Sequence, residues 1–371
     1  MKLRSLLLAS LLSLSQTALA NPLLEQLRLT QGYHIAVVAE AANARQMALG
    51  SPGTLFVGSR RAGQVYRLKD VNGDGIYEQQ EILLQGLNMP SGIAWRNGDL
   101  YIAAVDRILK VANADSVKTE SIQVQLVTDQ LPDITHHGWK YLKFGPNGDL
   151  YFNLGAPCNI CRSEDPRFAS IMKLNLDSGQ QNIVARGIRN SVGFSWHPLT
   201  EELWFTDNGR DHLGDDQPDD ELNRLTQPGQ HFGFPFVHAG DIPDPQLYQG
   251  QPFSEFQPPM LKLGAHVAPL GLTFYTGEQF PDSDKNTLFI AEHGSWNRSS
   301  KVGYRVIRVD TSVTPATQTV FIEGWLNGQS AWGRPVDIIT DRDGSLLISD
   351  DRAGLIYRVS SRVKYRAGNK D

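Results

Sequence analysis

Cysteine, surplus positive charge and long apolar runs are all scarce in this sequence, and each scarcity removes a class of function. Its two cysteines, Cys158 and Cys161, stand in Ala-Pro-Cys-Asn-Ile-Cys-Arg between two strand patterns. Covalent haem attachment would need His after the second cysteine, where Arg162 stands, and a redox-active dithiol belongs at a helix start inside a βαβ unit. A local disulfide in an oxidising compartment is the expected state. The formal net charge is −5, from 35 Lys and Arg against 40 Asp and Glu, which argues against a nucleic-acid partner. Beyond the first residues no stretch approaches the roughly 20 apolar residues of a membrane helix, so no membrane span is expected.

The first residues read differently. Met1 to Ala20 carries Lys2 and Arg4, an apolar run from Leu6 to Leu14, and Ala18-Leu19-Ala20 ahead of Asn21, the features of a cleavable secretory signal. The sequence therefore predicts a periplasmic or secreted protein whose residues 21–371 form a single domain. Loss of the two leader cations would take the charge from −5 to −7 (−5 − 2). An acidic exported domain of this size suits a small-molecule task.

What is abundant is repetition. A Gly-x-Leu-aromatic phrase, or a variant of it, occurs at 53–57, 98–102, 148–152, 201–205, 286–290 and 344–348. Each copy is followed by a second strand pattern, beginning at 64, 107, 171, 221, 303 and 355. Strands bounded by Asn-Gly and Asp-Gly turns, at a period of roughly 45 to 60 residues, predict an all-β fold, a six-bladed β-propeller. The apolar run Tyr33 to Ala39 precedes the first unit and is expected to complete the last blade. Gln227 to Gly264, rich in Pro, Gly and aromatics, is too long and broken for one strand pair. It is either an elaborated loop beside the site or a packed surface excursion.

Directly before the first strand of successive units come Pro90-Ser91, His136-His137, Arg189-Asn190, His266 and Gly333-Arg334. In a propeller that strand lies nearest the axis, so these positions converge on one cavity of cations, imidazoles and an amide, suited to an anion with several carboxylates. Any one of them alone could seal a blade edge or cap a turn. Lys301 adds a cation in the hairpin of the fifth unit. Two segments suggest calcium. Thr206 to Asn223 crowds acids into one hairpin, including Glu221, which a hard cation would neutralise. Asp70, Asn72, Asp74 and Glu81, with Gly75 between, match the spacing of a calcium loop and equally that of a plain turn.

At these residues the chain resembles the soluble pyrroloquinoline-quinone (PQQ) sugar dehydrogenases, in their aldose and sorbosone dehydrogenase-like branch. The likeness runs through His137-Gly-Trp-Lys-Tyr-Leu-Lys-Phe-Gly-Pro-Asn-Gly, Gly155-Ala-Pro-Cys-Asn-Ile-Cys, Gly187-Ile-Arg189-Asn190, the segment 206–223 and Glu292-His-Gly-Ser-Trp-Asn-Arg298. It implies PQQ and Ca2+ as cofactors, His137 as general base with His136 as its adjacent alternative, and Arg189 and Asn190 beside the reactive carbonyl. It further implies that Gly209 and Arg210 hold the calcium through backbone carbonyls, and that Lys301 and Arg334 grip the cofactor's carboxylates. Arg210 stands where relatives have Pro, Val336 where a second arginine is expected, and Pro90-Ser91 where a glutamine usually lies.

The implied reaction is oxidation of an aldose-type hydroxyl, with a small sugar as substrate and a separate electron acceptor. Two other readings remain open: a calcium-dependent lactonase-like hydrolase, and a non-catalytic propeller that binds glycans or proteins.

Overall fold

Side chains alternate across a β-strand, so a strand buried at every position must be covered on both faces. That is the situation of the Gly-x-Leu-aromatic strands in the computed structural model, which describes residues 23–361. The leader-like segment 1–20 lies outside the described residues. Thr54–Ser59, Leu150–Leu154, Leu203–Asp207, Leu288–Glu292 and Leu346–Asp350 are buried along their whole length. Each is the second strand of an antiparallel sheet, and six such sheets form the blades of the expected propeller.

Blade one runs from Ala44–Leu49 to Gln79–Leu84, blade two from Gly92–Arg96 to Val124–Thr128, and blade three from Leu142–Phe144 to Gln181–Arg186. Blade four starts at Phe194–Trp196 and borrows Leu261–Ala265 as its outer strand, with residues 226–260 looping out between. Blade five starts at Pro269–Phe274 and gains a fifth strand from Arg28–Leu29. Blade six, Pro335–Thr340 to Leu355–Ser361, is completed by Tyr33–Glu40, paired from Tyr33↔Ser361 to Glu40↔Leu355. The N-terminal strand thus closes the ring.

The core is distributed between blades. Phe56 packs with Ile93 and Leu100 of blade two, while its neighbours Leu55 and Val57 pack with Leu347 and Ile356 of blade six. The same alternation sends Phe289 toward blade six and Leu288 and Ile290 toward blade four. Inter-blade packing, not a central core, holds the molecule together. Among the described residues no helix is long and apolar enough to cross a membrane.

Candidate active site

Antiparallel pairing puts the start of each inner strand and the end of each second strand on the same rim of the ring. There a cavity of about 700 Å³ opens on the axis, lined by His136, His137, Arg189, Asn190, Gly209, His266 and Arg334. These residues come from blades three to six, and it also receives Arg45, Arg60 and Arg61 from blade one. A cleft of similar volume, about 730 Å³, opens on the opposite rim between blades four and five. Its acids Glu202, Asp284 and Asp310 balance Arg224, Lys285 and Arg308, whereas the axial cavity carries five guanidiniums and four imidazoles. Chemistry, not size, selects the axial one.

The rim backbone is held in an uncommon conformation. Met89 (φ 48°), His137 (φ 48°), His266 (φ 64°) and Ala268 (φ 54°) all line the cavity in the left-handed region. Non-glycine residues persist there only where surrounding contacts enforce it, a pattern typical of functional sites. Gly155 shows one such constraint. A Cβ on it would lie 2.6 Å from His137 Cβ and 3.4 Å from Asn190 Oδ1, so the absence of a side chain lets base and amide come together.

His137 is buried, and its Nδ1 lies 2.9 Å from the Ala156 carbonyl. A carbonyl only accepts, so Nδ1 carries the proton and Nε2 keeps its lone pair. Burial first, then the charges of Arg189 and His136, hold its pKa well below the usual histidine value. The ring is therefore a neutral base at physiological pH. His136, 4.1 Å away ring to ring, is exposed and its pKa is lowered by partial burial and by Arg189.

Arg189 is buried and heavily engaged. Its Nε donates to the Asn159 carbonyl at 2.9 Å and a terminal nitrogen to the Asn208 carbonyl at 3.1 Å. The other terminal nitrogen reaches Asn159 Oδ1 at 2.8 Å and Asp211 Oδ2 at 3.0 Å. Asn159 lies inside the loop closed by the Cys158–Cys161 disulfide, so that loop buttresses the arginine. The backbone N–H groups of Arg189 and Asn190 both donate to Asp207, at 2.8 and 2.6 Å. Asn190 is left with its Oδ1 buried and unpartnered beside the cavity. Arg334 donates to the His293 carbonyl at 2.9 Å and to the Gly294 carbonyl, and lies over the Tyr304 ring. Arg45 pairs with Asp351 at 2.9 Å, and His293 lies 2.8 Å from the same carboxylate. Burial, against the opposing charge of Asp351 and with help from Arg334 and Arg45, lowers the His293 pKa to about 4.

Several expected ligands stand elsewhere. Lys301 is outside the cavity, its ammonium 2.6 Å from the Gln329 carbonyl. Arg210 was expected to act through its backbone carbonyl; its side chain pairs with Asp244, which also holds His238, and so fastens the 226–260 excursion to the hairpin. Glu221 accepts from the Ala239 N–H and from Asn223, on the strand face away from the cavity. Its neighbour Asp220 lines the cavity, as does Asp211, and accepts from the N–H groups of Gly209 (2.7 Å) and Ala268 (2.8 Å). Burial pushes its pKa up to about 7. Ser91 is buried against the Lys140 carbonyl, and Met89 takes its place at the rim.

In the blade-one hairpin, Asp70 and Asp74 cluster with Glu78, their oxygens within 4.8 Å of one another. Glu81 lies apart, paired with Arg67, because strand register sets the two opposite. Val336, where an arginine was expected, packs with Val192, Leu270 and Trp139 in an apolar patch that backs the cavity. Sequence reasoning missed Arg45, Arg60, Arg61, Asp220 and His293. Most of these follow the second strand of a blade, a register that leads to the same rim and was readable only for blade four.

The fold and this cavity define a six-bladed propeller with a cationic axial well. The chain belongs to the TrAA12-like family, whose model matches residues 27–362. An uncharacterized protein of Borreliella burgdorferi is 36% identical over 362 residues, covering 93% of each chain. A pyrroloquinoline quinone-dependent pyranose dehydrogenase of Coprinopsis cinerea is 23% identical over 407 residues, and the match spans 54% of its length. Among solved structures, the calcium structure of a Trichoderma reesei family AA12 enzyme superposes with TM-score 0.76 at 20% identity, covering 90% of this chain and 97% of that one. The PQQ domain of the Coprinopsis cinerea pyranose dehydrogenase gives 0.74 at 17% identity, with the same coverage.

Proposed function

We propose that this protein is a PQQ-dependent oxidoreductase acting on a sugar hydroxyl. One observation carries the reading: a buried neutral imidazole shares an apolar-backed cavity with five guanidiniums and an unpartnered amide oxygen. Flat apolar backing and fixed cations suit a planar polyanion, and the orphaned Asn190 Oδ1 calls for a donor that the protein does not supply. Similarity to the pyranose dehydrogenase and to the family AA12 structure supports the same cofactors.

Asn190 and Arg334 are assigned to the quinone, and Arg189 to the charge that develops on its carbonyl oxygen. The carbonyls of Gly209 and Arg210 are assigned to calcium, with Asp220 close behind Gly209. When bound, the quinone supplies a two-electron acceptor for hydride from carbon, later reoxidised by a separate partner. The protein's own part is acid–base and positional. His137 Nε2 takes the hydroxyl proton, the Ala156 carbonyl keeps the tautomer fixed, and burial keeps the ring uncharged and ready to accept.

The hydrolase alternative calls for side-chain acids that cage a metal in the well. Among the described residues the one group of three such ligands is Asp70, Asp74 and Glu78, outside the cavity lining. The test is to add PQQ and calcium to the purified protein and follow dye reduction across a panel of aldoses. Activity only after reconstitution supports the reading, and turnover without quinone defeats it.

A further inference from the structure

We propose that the substrate is a carboxylated sugar, a hexuronic acid, whose acid group docks on Arg60 and Arg61 while its reacting hydroxyl faces His137. This rests on the oxidoreductase reading and names its substrate class.

The guanidiniums of the well differ in what compensates them. Arg45 has Asp351, Arg189 has Asp211, and Arg334 is spent on two carbonyls. Among the described residues neither Arg60 nor Arg61 forms an ion pair, although the charge of Asp351, already shared by Arg45 and His293, is felt at Arg60, and the backbone of both is held in place. Asn43 Oδ1 accepts from both of their backbone N–H groups, at 3.1 and 2.5 Å. The Arg60 guanidinium lies 3.8 Å over the Trp139 ring, with its Nε buried and unpartnered. Trp139 in turn meets the His137 ring edge-on at 5.9 Å, so one aromatic ring separates this cation from the base. Burial, and after it the neighbouring Arg45 and Arg61, lowers the Arg60 pKa to about 10, which leaves it charged at neutral pH.

A partly buried arginine without an ion-pair partner, with a second, exposed arginine beside it in the chain, is a site for a carboxylate. Its position on the Trp139 ring, whose other neighbour is His137, assigns that carboxylate to the substrate. A hexuronate in its ring form carries both groups, a carboxylate on C5 and the anomeric hydroxyl on C1, on either side of the ring oxygen, so one sugar ring offers an anion to the arginines and a hydroxyl to His137.

The test is calorimetric titration of galacturonate, glucuronate, galactose and glucose into the quinone- and calcium-loaded protein. Uronates are expected to bind at least about tenfold tighter than the neutral sugars at low salt, and the preference should shrink in about 0.5 M salt. Arg60→Gln and Arg61→Gln should abolish the preference, and Arg60→Lys, which keeps the charge, should retain part of it. Equal affinities, or a preference untouched by both Gln variants, would overturn the proposal. So would a fall in quinone affinity, followed by absorbance, in Arg60→Gln without loss of uronate preference, because that assigns the guanidinium to the cofactor. If the wild-type protein takes up no quinone, the oxidoreductase reading fails, and the uronate preference of the protein as purified still decides this one.

Discussion

At the scale of single residues, His137 combines three constraints that each leave a measurable trace. Its proton is fixed on Nδ1 by the Ala156 carbonyl, its backbone sits at φ 48°, and its ring is kept neutral by burial and by Arg189. Replacement by Ala should lower kcat at least about 100-fold while quinone binding, followed by absorbance, persists. The pH dependence has a definite sign. A lowered pKa means that the proton-accepting form survives to lower pH, so the acid limb of kcat should lie well below about 6.5, the ordinary histidine value. A limb at or above that value would remove His137 as the titrating base. Gly155→Ala should cost activity and some stability together, because the added methyl meets His137 Cβ at 2.6 Å and the His137 carbonyl oxygen at 2.9 Å. A fully active, correctly folded Gly155→Ala variant would show that the imidazole position is not critical.

At the scale of elements, the site depends on loops tied across blades. The Cys158–Cys161 loop reaches the blade-four hairpin through Asn159, which accepts from Arg189 and from the Asp211 N–H and donates to the Asp211 carbonyl. A loop this short gives the disulfide about 2 kcal/mol of chain-entropy stabilisation at most. The double Cys→Ser variant is therefore expected to melt only a few degrees lower. Its larger effect should be on kcat and quinone affinity, since Arg189 loses its buttress. Thermal unfolding and quinone titration of the same sample would separate the two. The acids of blade four show what an element decides beyond composition. Asp220 and Glu221 are adjacent, yet strand alternation turns one to the cavity and the other to the 226–260 excursion.

At the scale of the whole molecule, closure comes from one strand. Tyr33–Glu40 supplies the outer strand of blade six and buries Val38 and Ala39 against blade one. Deleting residues 23–40 should expose the Leu355–Ser361 edge and lower the unfolding midpoint by well over about 5 °C, with aggregation on heating. Calorimetry of the truncated protein is the check. An unchanged transition would mean that the ring holds without its latch.

The repeat was legible because its second strands carry apolar residues on both faces, as a strand packed between neighbouring blades needs. The first register of the site, His137, Asn190, His266 and Arg334, was legible for the related reason that equivalent positions in a ring share one rim. Lys301 was misplaced because a hairpin cation resembles a site cation until its partner, the Gln329 carbonyl, is seen. Glu81 was matched by spacing, which is blind to the register that sets it opposite Arg67.

The amino-acid order by itself determined the number of blades, the closing strand and the kinds of side chain brought to the axis, because local alternation and period control them. Only the tertiary structure decided which arginines were already paired, which of two adjacent acids faced the well, and that Arg60, without an ion pair, stacked on the Trp139 ring next to His137. Those outcomes depend on partners supplied by other blades, and such distances appear only when the ring is closed.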